Sequence, residues 1–252
     1  MMRILKTLIA LGALCLTAPA FAADEGNNGT DPTKLTTSAE LSFEHMDLGG
    51  GLHTDTMFGS YTLTFNGGRT SLRFRVPVVS NNFTTNSDFG LGDVSLRITH
   101  VSTLTRTHGI VLQGEIFFDT ADQADHGTGK TVLKASVIYA KFLKNKAIFA
   151  PAFVQSVSIG GDAARADVNT TTLDFYYVPK FKNPKVFVTF DPALTSNWEA
   201  DKQFASLAIT VGYGVGKMFG GNGQVYIKPT FYAGNDRPAD WGVEAGFKTL
   251  GF

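Results

Sequence analysis

Ten charged residues stand among apolar or small neighbours where alternation would place them on one shared face: Arg73, Arg75, Asp93, Arg97, Glu115, Lys134, Asp174, Asp191, Lys228 and Glu244. The run Leu72-Arg73-Phe74-Arg75-Val76 shows the pattern most plainly. Charges of both signs on one enclosed surface could select solutes in a wet passage. They could equally pair with one another and fill the interior, as in small closed barrels. The spacing leaves both readings open, and the ten are candidates for lining a lumen and touching a solute.

The five histidines are the other residues with chemical potential: His45, His53, His100, His108 and His126. His45 lies close to Asp47, His53 to Asp55, and His126 to Asp122 and Asp125. A histidine beside an acid could serve a hydrolase at a barrel rim, but no serine sits in a recognisable nucleophile motif. No His, Asp and Glu set has metal-ligand spacing. Gly127-Thr128-Gly129-Lys130 lacks the leading glycine of a phosphate loop and falls at a hairpin. The sequence therefore assigns no catalytic residue, metal or cofactor. An outer-membrane rim hydrolase is retained only as a second alternative.

The elements that must position these residues are strands. From Thr36 onward the dominant period is two: Tyr61, Leu63 and Phe65 alternate with Thr62 and Thr64, and Leu173, Phe175 and Tyr177 with Thr172, Asp174 and Tyr176. Such runs predict about twelve strands, with ten to fourteen compatible, near 36–46, 56–66, 69–79, 90–102, 107–118, 129–143, 146–159, 168–179, 185–194, 203–219, 223–234 and 240–252. Connections after even-numbered strands read as short. Those after odd-numbered strands read as longer and polar: 47–55, 80–89, 119–128, 160–167, 195–202 and 235–239.

Charge follows that division. The short turns and their edges carry Arg69, Arg106, Lys144, Lys146, Lys180, Lys182 and Lys185 and no acid. The long connections carry Asp47, Asp55, Asp88, Asp119, Asp122, Asp125, Asp162, Asp167, Glu199, Asp201, Asp236 and Asp240 against only Arg165, Lys202 and Arg237. Short turns at one end and long loops at the other are the signature of a transmembrane β-barrel of the bacterial outer membrane. The expected fold is all-β: a closed antiparallel barrel over residues 36–252.

Residues 1–22 read as a cleaved secretory signal: Arg3 and Lys6, an apolar stretch from Leu8 to Leu16, then Ala20-Phe21-Ala22, with cleavage before Ala23. Leu14 before Cys15 argues against lipidation. The single cysteine leaves with the leader, so no disulfide framework exists. Residues 23–35 read as a short, polar, mobile segment in the periplasm. Charged residues make up 17% of the chain, against about 25% in an average soluble domain. Glycine numbers 27 and phenylalanine 21, and the formal net charge is zero, which speaks against a nucleic-acid partner.

The closing Phe252 is what barrel-assembly machinery commonly recognises. Trp241, Val243, Ala245 and Phe247 share one parity and Leu250 and Phe252 the other, which a bulge near Lys248-Thr249 would reconcile.

Three stretches carry a family likeness: FGLGDVSLRITH (89–100), GTGK (127–130) and GGDAARADVN (160–169). With DPALTSNWEA (191–200), VGYGVGKMFG (211–220) and DRPADWGVEAGF (236–247), the chain resembles the outer-membrane proteins labelled phenol-degradation meta-pathway, transporter-like. The resemblance runs from about residue 89 to the C-terminus. It implies a Gram-negative, porin-like barrel that takes up small hydrophobic or aromatic compounds, with outer-membrane lipid and a small solute as its partners. The alternative is a structural or surface-interaction barrel whose acidic loops meet lipid or other molecules. No catalytic residue is carried over.

Overall fold

The computed structural model describes residues 27–83 and 89–252. The signal-peptide reading of 1–22 and the loop acid Asp88 lie outside the described residues. The elements are β1 (Ser38–Gly49), β2 (Leu52–Phe65), β3 (Thr70–Asn81), a two-residue β4 (Gly90–Leu91), β5 (Ser95–Leu104), β6 (His108–Phe117), β7 (Lys130–Phe142), β8 (Ile148–Gly161), β9 (Asn169–Val178), β10 (Val186–Asn197), β11 (Lys202–Met218), β12 (Gly221–Ala233) and β13 (Trp241–Leu250). Twelve long strands pair antiparallel with their sequence neighbours. β1 then pairs with β13, from Ser38↔Leu250 to Asp47↔Trp241, and closes the wall. Closure removes the free edge, where each unpaired backbone group would cost several kcal/mol in lipid.

Alternation dictates which side chains face outward. Leu41, Phe43, Leu63, Phe65, Ile98, Val137, Phe153, Leu194 and Phe231 are exposed on the outer surface. Ser42, Ser71, Ser95, Thr99, Glu115, Thr189, Gln224 and Glu244 are buried within. This is a soluble protein turned inside out, and an apolar surface of that extent needs a non-aqueous neighbour. No helix among the described residues is long and apolar enough to cross a membrane.

Four details differ from the sequence reading. The segment expected at 90–102 splits into β4 and β5, because Pro77 on β3 has no N–H to return. Its carbonyl accepts from Gly92, and the β3 ladder resumes only at Arg75↔Ser95. The connection expected as a long loop at 47–55 is a tight turn through Gly50-Gly51, so Asp47 and Asp55 end on strands as the partners of His53 and His45. β13 runs without a bulge at Lys248-Thr249. Instead Leu250 is buried on the inner face, and Gly251 at φ 68° reverses the chain. Phe252 thereby reaches Tyr61, with ring centroids 6.0 Å apart.

The fourth difference lies in residues 27–35, which are held in place. Gly29 packs on Leu250, Tyr176 donates its hydroxyl to the Thr30 carbonyl at 3.0 Å, and Thr33 lies against Gly109. Asp31 accepts from the Thr33 N–H and hydroxyl at 2.9 and 2.7 Å, fixing a local turn. Thr30 and Thr33 are buried. The segment is a strap across the short-turn end of the barrel. Polarity alone predicts mobility, but a polar lumen offers the hydrogen bonds that a polar segment needs.

Candidate functional site

Cross-strand register places four of the candidate charges in one row. Arg73 stands opposite Arg97, Arg97 opposite Glu115, and Glu115 opposite Lys134, running from β3 to β7. Two like charges directly opposite one another repel, and Glu115 resolves the conflict. It accepts from Arg73 Nη2 at 2.8 Å, from Arg97 Nε and Nη2 at 2.8 and 2.6 Å, and from Ser95 Oγ at 2.9 Å. Glu115 is only 2% exposed.

A second row crosses β12, β13, β1 and β2, with Lys228 opposite Glu244, Glu244 opposite Glu44, and Glu44 opposite Thr56. Lys228 pairs with Glu244. The Tyr226 hydroxyl lies 2.7 Å from Glu40 and 2.8 Å from Glu244. Lys248 approaches Glu40 at 4.0 Å. Between the rows, Asp174 on β9 and Asp191 on β10 are neighbours on the inner face. Each has a buried Oδ1 with no hydrogen-bond partner.

The lumen is therefore polarised. The arc from β3 to β7 holds Arg73, Arg75, Arg97 and Lys134 against Glu115, a net of about +3. The arc from β9 round to β1 holds Asp174, Asp191, Glu40, Glu44 and Glu244 against Lys228 and Lys248, a net of about −3. Both arcs open on a chamber of about 270 Å³ whose lining includes Arg73, Arg75, Asp191, Lys228 and Glu244, with Asn28, Gly29 and Thr30 of the strap at one side.

Two inward rings lie flat along this wall because glycine faces them across the ladder. Phe187 covers Gly212, its cross-strand partner, and Tyr226 covers Gly246. A Cβ at Gly212 would come within 2.0 Å of the Phe187 ring, and one at Gly246 within 2.5 Å of Tyr226. With any other residue there, the rings would have to swing into the chamber.

Nine of the ten sequence candidates thus share the inner face. Asp93 does not. It lies in the break between β4 and β5, where its carboxylate accepts from the N–H groups of Thr120, Ala121 and Thr128 and from the Thr128 hydroxyl, at 2.8–3.3 Å. It ties down the loop after β6 instead of lining the lumen. Glu40, Glu44 and Lys248 join the site from outside the ten candidates. Their signal was available, because Glu40, Ser42 and Glu44 alternate with Leu41, Phe43 and His45.

The histidines are scattered. His45 Nδ1 lies 2.8 Å from Asp55 and His53 Nε2 3.6 Å from the same carboxylate, on the outward face of β1 and β2. His126 Nδ1 lies 3.2 Å from Asp122. No serine hydroxyl meets a histidine in the hydrogen bonds among the described residues, and no three His, Cys, Asp or Glu there could hold a metal.

The chain is similar to an outer-membrane channel. That structure, from Pseudomonas putida F1, superposes with a TM-score of 0.69 at 10% identity, over 89% of this chain and 98% of that one. The NanC porin follows at 0.59 and 9% identity, over 86% and 100%. The β domain of the Bordetella autotransporter BrkA reaches 0.51 and 13%, over 85% and 98%. No protein-family model matches the chain, and no curated protein matches it. Likeness at these identities concerns the fold, and the same barrel serves channels and an autotransporter alike.

Proposed function

We propose that this chain is a bacterial outer-membrane channel for passive diffusion of small solutes, with its short turns and strap in the periplasm. The observation that carries the reading is the chamber inside a closed wall, lined from opposite sides by charges that pairing does not exhaust. A barrel whose interior served stability alone would pair them all, because a buried polar atom without a partner costs about 1–3 kcal/mol. The exposed apolar belt, the basic short turns, the signal-like leader and the likeness to the Pseudomonas putida F1 channel support the location. Contact with outer-membrane lipid over that belt, and delivery by assembly machinery that reads Phe252, belong to the same proposal.

The family resemblance favours hydrophobic or aromatic solutes. The chamber lining supports polar ones, since an apolar solute would strip water from Arg75 and Asp191 and return no hydrogen bond. The test is swelling of liposomes containing the mature chain, with and without residues 27–35. Solute entry in either form, above protein-free vesicles, is the expected result. Impermeability of both forms to ions, polyols and small aromatics alike would end the channel reading. That outcome would leave the structural-barrel alternative, which the Arg73–Glu115–Arg97 cluster favours.

A further inference from the structure

Three cations of the chamber have a carboxylate: Arg73 has Glu115, Lys228 has Glu244 and Lys248 has Glu40. Arg75 has none within ion-pair distance among the described residues, and Glu244, Glu40 and Glu44 act on it only from farther off. Its guanidinium lies 3.5 Å above the centroid of the Phe58 ring. That contact occupies one face of the guanidinium and leaves the in-plane N–H donors directed outward. β3 and β10 stand six strands apart in a ring of twelve, so Asp191 projects from the wall opposite Arg75. Both open on the same chamber, and Asp191 and its neighbour Asp174 each keep a buried oxygen that no donor meets.

Counted by formal charge the two arcs are opposite and similar in size, so the lumen as a whole has no strong preference for anions or cations. What it favours is a dipole laid across it. A monoanion at Arg75 is repelled by the acidic arc, a monocation at Asp191 by the basic arc, and a polyol gains little from either. We infer that the chamber binds small zwitterions of amino-acid type, with the carboxylate at the Arg75 guanidinium and the ammonium at Asp191, which Asp174 backs. This rests on the channel reading and names its solute class. A volume of about 270 Å³ suits such a solute, whereas pockets for drug-sized ligands start at about 300 Å³.

The test is binding of L-serine, lactate and glycerol to the detergent-solubilised mature protein by saturation-transfer NMR, alongside liposome swelling with serine and glycerol. Folding of each variant is checked by the heat-dependent gel shift of a closed barrel. Serine should bind more tightly than either probe. Arg75→Gln and Asp191→Asn should each weaken serine binding about tenfold, the scale of one charge-assisted contact. Arg75→Lys should restore most of it. If lactate or glycerol binds as tightly as serine, or if folded R75Q binds serine unchanged, the inference is wrong. Serine binding with this dependence but no solute entry would support the site and end the channel reading. Entry of serine and glycerol at equal rates with no serine binding would do the reverse.

Discussion

On the arc from β3 to β7, cations crowd a single acid that is fully occupied. On the arc from β9 round to β1, acids outnumber cations, and two of them keep a buried oxygen without a donor, as Arg73 on the first arc keeps a buried Nε without an acceptor. The basic arc contains Glu115 with four hydrogen bonds converging on it. The acidic arc contains Asp174 and Asp191 side by side, each with one buried oxygen that meets no donor. Each arc ties up part of its charge and leaves part over: among the described residues, Arg75 and Lys134 make no ion pair on the first, nor do Asp174, Asp191 and Glu44 on the second. The arcs differ in their acids: the one on the basic arc is saturated with donors, whereas two on the acidic arc are not.

The sharpest way to break that contrast is to neutralise one acid in each arc. Glu115→Gln leaves Arg73 and Arg97 opposed across one ladder step with no counter-ion between them. Removing one partner of a buried pair costs about 3–5 kcal/mol, and water at the edges of the partly exposed arginines brings the expected loss to about 3 kcal/mol. Asp174→Asn should act in the opposite direction. The new amide can donate to Asp191 without needing a proton between two carboxyls, for a gain of up to about 1 kcal/mol. Urea unfolding in lipid vesicles, followed by tryptophan fluorescence, reads both. If the two variants shift the midpoint in the same direction, the contrast between the acids of the two arcs is wrong.

Why part of this was legible in sequence follows from the same residues. Period-two alternation puts Arg73, Arg97, Glu115 and Lys134 on the inner face whatever their partners. It cannot place them in one row, because register is fixed by turns such as 105–107 and by how far each strand extends beyond the membrane. Asp93 misleads because its departure from the ladder is caused by Pro77, on a different strand. The strap carries no periodicity at all, and its anchor, Tyr176, lies 146 residues from Thr30. Fold and facing are local properties of the chain here, whereas the row, the chamber and the strap are properties of closure.

The strap touches both arcs through Gly29 at β13 and Thr33 at β6, so it tests whether their contrast depends on the short-turn end. Tyr176→Phe removes the hydroxyl that holds the Thr30 carbonyl and should loosen the strap by about 1 kcal/mol. Single-channel recordings should then show more frequent opening than in the unaltered protein. Deletion of residues 27–35 should give steady conductance. A Y176F trace indistinguishable from the unaltered protein would mean that the other contacts hold the strap alone.

The smallest expected effect lies outside the lumen, where a basic and an acidic residue meet without any polarised wall around them. Lys130 Nζ reaches the Asp167 carboxylate at 2.8 Å, and Ser158 Oγ adds a hydrogen bond at 3.0 Å. The hydrogen bond from Lys130, and then that from Ser158, hold the Asp167 carboxyl below its ordinary value of 3.8. A depressed folded-state value means that the pair stabilises the fold above the ordinary Asp range. That contribution is lost as pH falls through the lower, folded-state value. Asp167 is exposed, so solvent screens the pair and the effect stays small. Unfolding midpoints should therefore show unaltered protein slightly more stable than Asp167→Asn at pH 7, with the difference closing below about pH 4. A difference that persists at pH 2 would place the contribution of Asp167 in packing or loop geometry, since ionisation could no longer supply it.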